Sequence, residues 1–241
     1  ARIADSPTPQ EIPPRAALTT TGVSYAYTDK PLLSDVVLHL EPGEHLIVVG
    51  DIGSGKTTLL ELLKRNFDPK AGGVYLGGVP LSEIRLQSLR RHTKYVGQDT
   101  TILPGTIADN ISYGKPEATR AEVAAAARMV LADTWIESLP AGYDTRPSDM
   151  VNEPSRSQAA QIQLARALIT APKLLLVDGS FHLSSEVNVA LIARRVTETF
   201  PDLSVILVGE WEELAEFPAK VLLLRGSESR MLADTPGQDP K

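Results

Sequence analysis

Gly50-Asp51-Ile52-Gly53-Ser54-Gly55-Lys56-Thr57 is the stretch whose reading decides the fold. It follows the apolar run Leu46-Ile47-Val48-Val49 and leads into Thr58-Leu59-Leu60-Glu61-Leu62-Leu63. Strand, glycine loop and helix, with the spacing G-x4-G-K-[ST], make a phosphate-binding P-loop. Glycine reaches backbone angles that a Cβ forbids, so successive N–H groups can turn inward around phosphate oxygens. The helix N-terminus adds its partial positive charge. Gly50, Gly53, Ser54, Gly55 and Thr58 are therefore expected around the phosphates of a nucleotide. Lys56 would reach the β- and γ-phosphates, and the Thr57 hydroxyl would hold Mg²⁺. From average residue usage, four such fixed positions arise by chance in roughly 1% of chains this long, and the flanking strand and helix lower that further.

The rest of the chain fits around this loop. Its 241 residues, 42% hydrophobic, can bury one large core or one core plus a lobe. The formal net charge of −6 argues against a nucleic-acid partner. With no cysteine, disulfides, zinc thiolates and thiol catalysis are excluded. No apolar run approaches the roughly 20 residues that cross a bilayer. No signal peptide is visible, and the start at Ala1 without methionine reads as a fragment of a longer chain.

Residues 1–15, rich in Pro, Ser and Thr and without periodicity, read as a linker. Residues 16–241 read as one nucleotide-binding domain, with a helical subdomain over about 99–170. Short strand-like runs cover Leu18 to Tyr27 and Leu32 to Leu40, and Val74-Tyr75-Leu76 and Tyr95-Val96-Gly97 follow. Thr119 and Glu122 form a capping box before an alanine-rich helix ending near Leu131. Helices are expected over Ser157 to Ile169 and Glu186 to Thr199. The apolar runs Leu174 to Val177, Val205 to Val208 and Val221 to Leu224 alternate with helices, which implies a mostly parallel sheet covered on both faces. The expected class is α/β.

A P-loop needs a carboxylate to organise Mg²⁺, usually at the end of a buried apolar strand. Lys173-Leu174-Leu175-Leu176-Val177-Asp178 supplies one, so Asp178 reads as that aspartate.

With these residues in place, the chain resembles the nucleotide-binding domain of an ATP-binding-cassette (ABC) transporter over Leu18 to Asp234. Val23-Ser24-Tyr25-Ala26-Tyr27 looks like the family's A-loop, and Tyr95-Val96-Gly97-Gln98-Asp99 like its Q-loop. Thr106 to Gly114, Gly142-Tyr143-Asp144-Thr145 and Ala165-Arg166-Ala167-Leu168 are similar to segments of exporters with fused membrane domains. The resemblance implies a P-loop core, an antiparallel β-subdomain and a helical subdomain. It implies that Tyr27 stacks on adenine and that Gln98 contacts Mg²⁺ or the attacking water. It also implies two partners: a transmembrane domain, and a second nucleotide-binding domain that closes head-to-tail over ATP at the cytoplasmic face of a membrane.

The family's pattern is broken at several positions. The signature, usually L-S-G-G-Q, is here Pro154-Ser155-Arg156-Ser157-Gln158, so Ser155 and Gln158 remain while Arg156 and Ser157 replace both glycines. Arg156 reads as a solvent-facing residue at a helix start. Gly179 stands where a glutamate would polarise the attacking water. His182-Leu183-Ser184-Ser185 lacks the D-loop aspartate, and Glu210 stands at the position of the switch histidine. The resemblance with these departures implies an exporter domain that binds Mg-ATP, hydrolyses it weakly or not at all, and pairs with a different chain. Two alternatives remain open at this point: a working ATPase using substitute residues, and a soluble regulatory ATP-binding module.

Overall fold

A computed structural model describes residues 3–97, 101–150, 153–178, 189–209 and 219–232. The chain forms two compact units. One comprises residues 1–95, 173–179 and 201–241; the other comprises 96–172 and 180–200.

The first unit carries two sheets. β1 (Leu18–Tyr25), β2 (Leu33–Leu40), β4 (Ala71–Leu76) and β5 (Val79–Pro80) form an antiparallel sheet in the order β2-β1-β4-β5. The larger sheet runs β10-β9-β3-β8-β7-β6, from β3 (His45–Gly50), β6 (Thr93–Val96), β7 (Leu174–Val177), β8 (Ser204–Val208), β9 (Lys220–Arg225) and β10 (Glu228–Leu232). β3 pairs in parallel with both β8 and β9, and β7 with β8; β10 returns antiparallel on β9. The apolar runs read from sequence are these central strands.

Alternation along β3 explains why the run is apolar throughout. Leu46 and Val48 face α1 (Lys56–Leu63), joining Leu59, Leu60, Leu62 and Leu63 in the main core. Ile47 and Val49 face the other way and pack with Val221 and Leu223. A strand buried on both faces keeps no polar side.

The segment read as a linker has defined partners. Gln10 bridges to Ile84 in parallel, with its N–H donating to Glu83 O (2.7 Å) and its carbonyl accepting from Arg85 N (2.9 Å). Asp5 Oδ1 accepts from Leu86 N at 2.6 Å, at the first residue of α2 (Leu86–His92). Ile12 joins the main core. Two cations hold the segment's carbonyls: Arg65 Nη2 donates to Ala4 O (3.1 Å), and Lys173 Nζ donates to Pro13 O (2.8 Å) and Pro14 O (2.7 Å). Hydrogen bonds from a charged donor contribute about 1.5–3 kcal/mol each in favourable settings. Lys173→Met keeps the stem and removes both bonds. It is expected to destabilise the chain by about 1.5–3 kcal/mol, since part of the site is exposed. The denaturant midpoint in a urea titration would fall at unchanged slope, and cleavage after Arg15 by trypsin would accelerate. An unchanged midpoint would show that the segment lies on the unit without stabilising it.

The second unit is helical: α3 (Ile107–Ser112), α4 (Arg120–Met129), α5 (Asp133–Glu137), α6 (Arg156–Leu168) and α7 (Val189–Thr199). Both Thr106 and Thr119 cap their helices with full capping boxes. At the second, Lys115 and the Thr119 N–H hold the Glu122 carboxyl down at about 2. A buried polar knot joins α3 to α6. Asn110 Oδ1 accepts from Leu103 N and from Arg166 Nη2, both at 2.7 Å, and Arg166 Nε donates to Asn110 O at 2.7 Å. Burial pushes the Arg166 guanidinium below its usual range, and these carbonyl and amide acceptors offset its lost hydration. Asn110 and Arg166 therefore have a packing reason to stand in two of the three segments that resemble exporters.

Candidate nucleotide site

The loop from β3 to α1 adopts the backbone the glycine pattern requires. Gly53 and Gly55 have φ of 82° and 95°. A Cβ on Gly50 would lie 2.1 Å from Leu224 O and 2.8 Å from Ser54 Oγ, so that position admits glycine alone. A Cβ on Gly53 would meet nothing within 4 Å, which leaves its side of the loop open. Ser54 is 4% exposed, and its Oγ is buried without a hydrogen-bond partner. A buried hydroxyl in that state costs stability unless an acceptor arrives.

Lys56 folds back over the loop. Its Nζ donates to Gly50 O at 2.6 Å and to Asp51 O at 2.8 Å. An ammonium carries three donors, so this anchoring leaves capacity for an anion. Thr58 is buried behind the loop, and its hydroxyl lies 3.3 Å from the Tyr27 hydroxyl. Tyr27 is 64% exposed. Its ring meets Tyr25 edge-on at 5.1 Å and Phe67 at 6.1 Å, while Tyr25 and Phe67 stack on each other at 4.6 Å. The aromatic pair props an exposed tyrosine beside the phosphate loop, an arrangement suited to stacking on a planar base.

Asp178 follows the last residue of β7 and is 6% exposed. Thr57 Oγ1 donates to its Oδ2 at 3.0 Å. A hydroxyl and a carboxylate side by side are hard oxygen donors of the kind Mg²⁺ takes when it also binds substrate phosphates. The residues present therefore fit ATP with Mg²⁺. Thr57 and Asp178 would hold the ion, which when bound neutralises phosphate charge and polarises the γ-phosphoryl group. Sequence reading missed Tyr95. Its hydroxyl donates to the same Asp178 oxygen at 3.2 Å. The only signal was its place three residues before Gln98.

In the helical unit, Ser155 is the N-cap of α6. Its hydroxyl accepts from Gln158 N (3.2 Å), and Gln158 Oε1 accepts from Ser155 N (2.9 Å). The helix starts at Arg156, one residue before the expected Ser157, and Arg156 is exposed. The S-x-x-Q spacing is itself a capping box, a signal present in the sequence. It gives Ser155 and Gln158 a local structural task beside any task toward a nucleotide. Gln98, Gly179, the segment His182 to Ser185 and Glu210 lie outside the described residues.

Comparison with known proteins places this geometry. Residues 33–182 match the family model described as ABC transporter. The chain is 37% identical over 188 residues to the fatty acid ABC transporter ATP-binding/permease protein of Mycobacterium tuberculosis (strain CDC 1551 / Oshkosh), covering 78% of this chain and 30% of that protein. It is 41% identical over 166 residues to the ATP-dependent lipid A-core flippase of Chromobacterium violaceum, covering 68% and 28% respectively. The chain thus spans less than a third of the length of these curated relatives. Among solved structures it is similar to a bacterial Atm1-family ABC exporter with ATP bound, with a TM-score of 0.81 and 29% identity over 95% of this chain and 41% of that one. The matched range takes in the phosphate loop, Asp178 and the α6 cap alike, and on that footing the chain belongs to the ABC transporter family, as an ATP-binding domain.

Proposed function

We propose that the chain binds Mg-ATP at the cytoplasmic face of a membrane, as the nucleotide-binding part of an exporter, with weak hydrolysis of its own. The observation that carries the binding step is the buried, partnerless Ser54 hydroxyl between two positive-φ glycines and the Lys56 ammonium. Phosphate oxygens would supply the missing acceptor, and Tyr27 would stack on the adenine. The relatives' names pair ATP binding with a permease, which supports a membrane-spanning partner for this domain. Among the described residues no helix is long and apolar enough to cross a membrane.

ATP closure in this reading joins two nucleotide-binding domains, one lending its signature to the other's γ-phosphate. Arg156 and Ser157 stand where glycine would let backbone approach that phosphate, so two copies of this chain would close poorly. The partner is therefore a different nucleotide-binding domain. Sedimentation velocity on the isolated chain is expected to give a monomer with and without Mg-ATP, while calorimetry on the same sample shows saturable ATP binding. A stable ATP-dependent homodimer would contradict the hetero-partner, and absence of saturation would contradict the binding reading itself.

A further inference from the structure

Tyr95 sits on β6 beside the metal-organising carboxylate, and nothing in the P-loop pattern calls for a tyrosine there. Its hydroxyl and that of Thr57 converge on one oxygen, Asp178 Oδ2, at 3.2 Å and 3.0 Å. On its other side the Lys64 ammonium lies 3.6 Å from the ring centroid, and Lys64 is itself paired with Glu61 at 2.6 Å. The ring is thus held from the end of α1 while its hydroxyl holds Asp178. β6 and β7 are neighbours in the sheet, and the Lys173 N–H donates to His92 O at 2.8 Å, which fixes the two strands at their starts.

We propose that Tyr95 is a positioning residue for metal binding: its hydroxyl fixes the Asp178 carboxylate in the orientation that meets Thr57, so that Mg²⁺ finds a preformed pair of oxygen donors. The proposal rests on the Mg-ATP reading of the site. Groups that hydrogen-bond a metal-ligating carboxylate from outside orient it, and their loss commonly costs 10- to 100-fold in metal affinity. A single hydroxyl at 3.2 Å places Tyr95 at the low end of that range. Tyr95→Phe removes the hydroxyl and keeps the ring under Lys64, so the fold should persist with little change in melting temperature.

The test is an ATP titration of the unmodified chain and of Tyr95→Phe, each with EDTA and with Mg²⁺, followed by calorimetry. The metal-free affinities should agree, while the gain in ATP affinity on adding Mg²⁺ should fall by about ten-fold in the variant. In an Asp178→Asn background, Tyr95→Phe should cause no further loss, because its route to the metal has been removed. A merely structural role would lower both arms together and lower the melting temperature; that result overturns the proposal. So does an unchanged Mg²⁺ gain, and so does an increased one, which would make the tyrosine a competitor of the metal. Absence of ATP saturation by the unmodified chain would instead overturn the nucleotide reading, and the Tyr95 assignment with it.

Discussion

Purified chain is expected to bind Mg-ATP yet release phosphate at or near the uncatalysed background. Residue type at the positions that the resemblance assigns accounts for this. Gly179 has no side chain with which to accept a proton from water. General-base assistance is commonly worth about 10²–10⁴ in rate, or roughly 3–5 kcal/mol of barrier. On the proposed reading, Glu210 at the switch position brings a negative charge in place of the histidine that the resemblance implies. Two unit charges at about 4 Å repel by about 4 kcal/mol at an effective dielectric of 20, before screening by salt. On the same reading, Arg156 and Ser157 in place of the signature glycines would impair the partner's site as well. Groups that act as a unit are non-additive, so Gly179→Glu alone should restore little. The measurement is steady-state phosphate release, with Lys56→Ala as the blank. A robust turnover that vanishes in that blank would sink this expectation and would favour substitute catalytic residues.

What the sequence made legible follows from how local each signal is. The P-loop is read from eight contiguous residues whose backbone angles only glycine tolerates, and Gly50, Gly53 and Gly55 adopt them. The double-faced strands were legible because burial on both sides leaves an unbroken apolar run, as in Leu174–Val177. Helix starts were legible where a cap announces them, as at Thr119 with Glu122. The same rule applies at Ser155 with Gln158, where a capping box and the family's signature motif share the same residues. Tyr95 was illegible for a different reason. It reaches Asp178 from 83 residues away, and pairing of β6 with β7 is a property of the sheet order, not of either segment. The N-terminal segment was illegible for the same reason. Its bonds run from backbone carbonyls to Lys173, 160 and 159 positions on, and no residue type in a Pro-rich stretch marks a carbonyl that will be held.

Lys56→Ala is expected to weaken Mg-ATP binding by roughly 10- to 150-fold, the equivalent of one charge-assisted hydrogen bond at about 1.5–3 kcal/mol. The ammonium does two jobs in the structure. It donates to Gly50 O and Asp51 O, which braces the loop, and it keeps a third donor for phosphate. Alanine removes both, so part of the loss should appear as a slower, less favourable ordering of the loop on binding. Stability should fall as well, by no more than about 1.5–3 kcal/mol for the two lost carbonyl bonds, while the core beneath, built by Leu59, Leu60, Leu62 and Leu63, stays in place. Lys56→Arg should not rescue. The planar guanidinium is larger than the compact ammonium and cannot place its donors on the same two carbonyls and a phosphate at once. Comparing nucleotides sharpens the test. A lysine that reaches the β- and γ-phosphates loses more with ATP than with ADP, so the ratio of the two affinities should shift toward ADP in Lys56→Ala. Calorimetry with both nucleotides reads that ratio directly. Equal losses for ATP and ADP would mean that Lys56 serves the loop and the β-phosphate alone, and the γ-phosphate would then need another cation.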